Sequence, residues 1–166
     1  MVDVGAKRET ARQAVASAAV RMAPSTLALV MAGGEAGGAP KGPVLATARL
    51  AAIAALKRTA DWIPLCHPVR IVGTDVALDP DEGLPGIRVR VTVRAFDRTG
   101  VEMEAMVGAS AAALTIYDMV KGVERGVEIL AVRLDEKRGG RSGVWLREDG
   151  RVTPKRSRAS NKRTRN

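Results

Sequence analysis

From Gly86 to Phe96 the chain alternates. Ile87, Val89, Val91 and Val93 take one set of positions, and Arg88, Arg90, Thr92 and Arg94 take the other. A period of two puts each set on its own face of a β-strand. Such a strand requires a sheet whose apolar face is covered by other elements. Residues 69–78 read as a second strand, and 80–85 between the two have the composition of a hairpin loop. Residues 127–134 read as a further strand.

The cover comes from helical stretches. Pro24-Ser25-Thr26 opens a short helix over 24–32 with a hydroxyl cap. Residues 33–40, rich in glycine, read as a flexible loop without the Gly-Lys-Ser/Thr ending of a phosphate loop. Lys41-Gly42-Pro43 opens an Ala/Leu/Ile stretch that is expected to be helical to about Asp61. Residues 101–120 form a second long helix, apolar nearly all round, which implies burial on most sides. Residues 9–22 are ambiguous: their alanines favour helix, but Val15 and Val20 make no helical stripe. No internal repeat is visible. Helices over one mainly antiparallel sheet make an α+β sandwich.

The 166 residues suit one domain with a real core. Aromatic residues make up only 2%, so Ala, Val, Leu, Ile and Met must fill that core. A single cysteine forms no internal disulfide and suggests a reducing compartment. Neither a signal peptide nor a run of ~20 apolar residues is visible, so a cytoplasmic protein with no membrane association is expected. The net charge of +9 is concentrated at one end. Residues 151–166 hold seven Lys or Arg and no acid, which leaves 20 basic against 18 acidic residues elsewhere. The division expected is a single domain over 1–148 and a basic, disordered tail over 149–166. The tail carries the alternative functional reading, a nucleic-acid-associated protein held by phosphate contacts.

Histidine chemistry here can use only His67, the sole imidazole, in Ile63-Pro64-Leu65-Cys66-His67-Pro68. The two prolines stiffen this segment. Adjacent side chains on an extended chain point to opposite faces, so Cys66 and His67 cannot form a nucleophile and base pair. One Cys and one His do not supply a tetrahedral zinc site within one chain, and no metal site is expected. No Gly-x-Ser-x-Gly elbow occurs. In the second long helix, Glu102, Glu104 and Lys121 complement the helix dipole, whereas Asp118 in the last turn opposes it. An acid set against its local field beside Lys121 suits proton transfer. Glu102 and Asp118 stand sixteen residues apart, roughly 24 Å on one helix, and Lys41 and Lys57 share that spacing on the other expected helix. If all four serve one small substrate, a second chain must complete the site.

Pro64-Leu-Cys-His-Pro68, Gly100-Val-Glu-Met-Glu-Ala105 and Ala113-Leu-Thr-Ile-Tyr-Asp-Met-Val-Lys121 together resemble the MoaC family. Met1-Val-Asp-Val4, Ala6-Lys7, Lys57-Arg-Thr59 and Gly139-Gly-x-Ser-Gly143 extend the resemblance to about residue 143. It implies a ferredoxin-like α+β subunit, a mainly antiparallel sheet covered by two long helices, with residues 9–22 as a strand. It also implies a hexamer built as a trimer of dimers, with active sites between subunits. The implied activity is that of a lyase of molybdenum-cofactor biosynthesis. It would convert 3′,8-cyclo-7,8-dihydroguanosine 5′-triphosphate to cyclic pyranopterin monophosphate and diphosphate.

By position, the resemblance makes Asp118, Lys121, Lys41 and His67 catalytic. It makes Leu65, Cys66, His67, Met103, Glu104, Glu102, Lys57 and Lys137 substrate-binding. Lysines suit a triphosphate, because they neutralise oxyanions and stabilise departing diphosphate. No cofactor is required, and magnesium is left open. Pro43 stands where many relatives have aspartate, and Arg141 where lysine is usual; Arg141 keeps the charge but not its geometry.

Overall fold

A computed structural model describes residues 1–32 and 39–148. The elements are β1 (Thr10–Arg21), α1 (Pro24–Ala32), α2 (Val44–Leu56), α3 (Thr59–Trp62), β2 (Ile71–Asp81), β3 (Gly86–Asp97), α4 (Glu102–Val120), β4 (Glu128–Arg138) and β5 (Trp145–Leu146). The sheet runs β2-β3-β1-β4-β5, and every neighbouring pair is antiparallel. With β5 set aside, this is the ferredoxin-like β-α-β-β-α-β order. The glycine-rich stretch 33–38 and the basic tail 149–166, both singled out by sequence, lie outside the described residues.

Residues 10–21 form a central strand, although their alanines favour helix. In the register with β3, Ala14, Ala16, Ala18 and Val20 face Val93, Val91, Val89 and Ile87, and all eight side chains are buried. The alanines are small enough for α4 to lie close above them. Its own contact face is equally small: Ala105, Gly108, Ala109, Ala112 and Ala113. This close approach lets a chain with almost no aromatic residues fill its core. The arginines of β3 fall on the opposite face, where Arg94 pairs with Asp75 at 2.8 Å.

The long helix expected from Lys41 to about Asp61 is two helices, and Lys41 lies on neither. Gly42 has φ +94 and closes a short bridge with Ala39. Pro43, which has no N–H to donate, is the N-cap of α2. At the other end Lys57 is the C-cap of α2, and Arg58, with φ −118 and ψ 19, separates it from α3. The separation of Lys41 from Lys57 is therefore not a distance along one helix. In contrast, α4 matches its expected span almost residue for residue. It packs on β1, β3 and β4, with α2 alongside reaching β2.

Candidate active site

Two groups of polar side chains gather at opposite ends of α4. Asp118, in the last turn of α4, is held between two ammonium groups. Lys41 Nζ donates to its Oδ2 at 2.7 Å, and Lys121 Nζ lies 2.7 Å from its Oδ1. The Gly42 turn brings Lys41 across 77 positions of sequence to this helix end. Hydrogen bonds from Lys121 and then Lys41 hold the Asp118 carboxyl down to about 2, and the same pairing raises Lys121. All three side chains are about half exposed, so the charges remain open to a ligand.

At the other end, Leu65, Cys66, His67 and Met103 line a hollow of about 410 Å³, which Val4 and Lys7 also border. Behind it lies Glu104, which is 2% exposed. Its Oε1 accepts from the Cys66 thiol at 3.9 Å, and its Oε2 has no hydrogen-bond partner among the described residues. Burial pushes this carboxyl up to about 7, with Glu102 and Asp97 adding to the effect. Burial and the Glu104 charge also raise the Cys66 thiol, away from the thiolate that a nucleophile requires. Lys137, on β4, reaches toward Glu102 at 3.7 Å and touches the Ser142 hydroxyl. Lys57 lies off this group; it and Glu104 border a small cleft of about 130 Å³.

The structure thus joins Lys41, Asp118 and Lys121 into one cluster. It joins Leu65, Cys66, His67, Met103, Glu104, Glu102 and Lys137 into a second region. It does not join the two, since the length of α4 stands between them. Sequence reasoning missed the pairing of Lys41 with Asp118 inside one chain, because it depends on a turn at Gly42 that was read as helix. It also missed the contact of Ser142 with Lys137. The burial of Glu104 had a readable signal: Gly108, Ala111 and Ala112 follow at helical spacing on the packed side of α4.

A hollow of about 490 Å³ lies on the arginine-bearing face of the sheet around Arg88, Arg90 and Arg133, and no sequence-predicted site residue lines it. Among the described residues, no three of His, Cys, Asp and Glu gather as a metal-holding set, and no helix is long and apolar enough to cross a membrane.

A family model described as MoaC family matches residues 1–140. Proteins of Brucella ovis and Brucella melitensis biotype 2, each named cyclic pyranopterin monophosphate synthase, are 57% identical to the chain over 149 residues. A protein of the same name from Brucella canis is 56% identical over the same length. In each case the match covers 90% of this chain and 88% of the relative.

Proposed function

The chain belongs to the MoaC family, and we propose that it works as a cyclic pyranopterin monophosphate synthase, an enzyme of lyase type in molybdenum-cofactor biosynthesis. The name its relatives carry at 57% identity supports the assignment. The structural observation that carries it is the Lys41–Asp118–Lys121 cluster. The substrate in this reading is 3′,8-cyclo-7,8-dihydroguanosine 5′-triphosphate, and diphosphate leaves it as the cyclic monophosphate closes. Two ammonium groups spaced by one fixed carboxylate suit the stabilisation of a departing diphosphate.

Opening the purine ring and closing the pterin require several proton transfers. Asp118, ionised down to about pH 2, is a poor reservoir for protons near neutrality and serves to aim Lys41 and Lys121. Lys121, held on Asp118 and raised by that pairing, keeps its proton and is placed to offset charge on the departing diphosphate. His67 and the near-neutral Glu104 stand at the other end of α4, where the ring system would lie. Leu65, Cys66 and Met103 form the wall around it. The scheme needs no resident cofactor, and magnesium would enter only as a counter-ion of the triphosphate.

Both groups serve one substrate only when two chains meet. Glu102 and Asp118 are separated by roughly 24 Å on α4. Between them the helix leaves a stripe less covered than the rest: Met103, Met106, Ser110, Leu114 and Tyr117, with Leu114 54% exposed. A second copy of α4 laid antiparallel on this stripe would bring Asp118 of one chain to the Glu102 end of the other. That supports a dimer with sites between subunits; its further assembly as a hexamer follows from the family resemblance, and a cytoplasmic location belongs to the same reading.

The experiment is incubation with the cyclic dihydro-GTP substrate, following pterin and diphosphate together, with Asp118→Asn as control. Product from the native chain and none from the control is expected. No pterin and no diphosphate from the native chain would refute the assignment.

A further inference from the structure

Lys137 and Ser142 belong to one hairpin. Strand β4 carries Lys137, β5 returns beside it with Trp145 opposite Lys137, and residues 139–144 make the connection. Three glycines shape that connection: Gly139, Gly140 and Gly143 have φ of +93, +69 and +65. The Gly143 N–H donates to the Gly140 carbonyl at 3.2 Å and closes the turn. The exposed Ser142 is thereby folded back onto the strand it follows, and its hydroxyl oxygen accepts from Lys137 Nζ.

The Lys137 side chain is only 19% exposed and has a second neighbour, Glu102 Oε1, at 3.7 Å. The two neighbours differ in their effect. A carboxylate in direct contact cancels most of the ammonium's charge. A hydroxyl accepts a hydrogen bond and leaves the charge intact. At 3.7 Å the carboxylate is within ion-pair reach but not in hydrogen-bond contact. Among the described residues, the polar side chains that face Lys137 are thus Glu102 from α4 and Ser142 from the turn.

We propose that Ser142 is the positioning residue for Lys137. It holds the ammonium through a neutral oxygen, off Glu102, so that the positive charge is kept for a phosphate oxyanion of the substrate. This rests on the synthase reading for the identity of the anion. The hairpin contact itself is independent of that reading. Without the hydroxyl, Lys137 closes on Glu102 and its charge is spent there.

The test compares Ser142→Ala, Ser142→Thr and the double variant Ser142→Ala with Glu102→Gln. The probe is inorganic diphosphate, whose affinity is measured by calorimetry and by product inhibition, alongside kcat and KM. Ser142→Ala is expected to weaken diphosphate and raise KM by about tenfold, with a smaller change in kcat. Ser142→Thr, which keeps the acceptor, returns to native values. The double variant recovers diphosphate affinity relative to Ser142→Ala, because nothing then captures the ammonium. An unchanged affinity in Ser142→Ala, or a threonine variant as weak as the alanine one, overturns the proposal. So does a loss confined to kcat. A native chain that binds diphosphate but forms no pterin instead refutes the synthase reading while leaving the role of Ser142 standing.

Discussion

Lys41 Nζ lies 2.7 Å from Asp118 Oδ2, joining a turn before α2 to the last turn of α4. With Lys121 on the other oxygen, Asp118 is an anion that two cations have fixed in place. Its carboxyl is held down to about 2, so it stays ionised throughout the neutral range. Asp118→Asn should therefore lower kcat by on the order of a hundredfold, by releasing both ammonium groups. The folded state should hardly notice, because exposed ion pairs contribute little to stability. Steady-state kinetics with thermal melting checks both. A large fall in melting temperature would show that Asp118 is a structural residue.

Glu104 supplies a pH dependence of stability. Its carboxyl is buried with one oxygen unpartnered among the described residues, and it rises from 4.5 to about 7 on folding. Over that window the folded chain holds a proton that the unfolded chain has released, so stability falls as pH rises. The favourable contribution is complete below about pH 4.5 and gone above about 7. The difference is on the order of 3 kcal/mol. Asp81, Asp97, Asp118 and Glu136 are all lowered and act in the opposite sense at more acid pH. The comparison is therefore of urea midpoints for the native chain and Glu104→Gln, between about pH 5 and pH 8. The native midpoint should drop relative to the variant across this range. Parallel profiles would mean that Glu104 is ionised in the folded chain.

How far the sequence could be read follows from how local each signal was. The alternation in 86–96 and the long apolar run in 101–120 are local signals, and β3 and α4 stand within a residue of those spans. The strand at 10–21 was not locally readable. Its alanines are chosen for the close approach of α4, a tertiary demand that overrides their helix preference. Lys41 was misplaced for a related reason. Pro43 does open α2 as its N-cap, but the positive φ of Gly42 puts a turn before it and leaves Lys41 off the helix. His67, as the sole imidazole, and Asp118, as an acid that opposes its helix dipole, stand out from the residues themselves, whereas the substrate roles of Leu65, Cys66, Met103 and Glu104 rest on the family's motifs. The contact of Lys41 with Asp118 needed coordinates, since nothing in either segment points to the other.

Gly139 tests how the turn holds Lys137. A Cβ at this position would lie 2.1 Å from the Ala11 carbonyl oxygen, and its φ of +93 is one that L side chains rarely adopt. Gly139→Ala therefore forces β4 off β1 or rearranges the turn, at a cost of about 2–3 kcal/mol. Denaturant titration should show that loss, together with a weaker affinity for diphosphate as Lys137 moves with its strand. Gly122→Ala is the companion, since a Cβ there meets nothing within 4 Å and Gly122 has no positive φ. Equal stability of the two variants would contradict the described path of residues 139–143.

The separation of the two half-sites makes the sharpest demand. If Asp118 of one chain works with Lys137 of another, then Asp118→Asn and Lys137→Ala each disable every site in their own homodimers. In a mixed dimer the defects fall differently. One site receives both substitutions and the other receives neither. Random mixing makes about half of the dimers mixed, and half of their sites intact, so about a quarter of native activity should return. The two inactive variants are therefore to be co-expressed, or unfolded and refolded together, and assayed against each alone. Recovery near that level requires sites shared between chains. No recovery, from a mixture shown to contain mixed dimers, requires each chain to hold its own site. The roughly 24 Å along α4 would then have to be spanned by the substrate or closed by a change of fold.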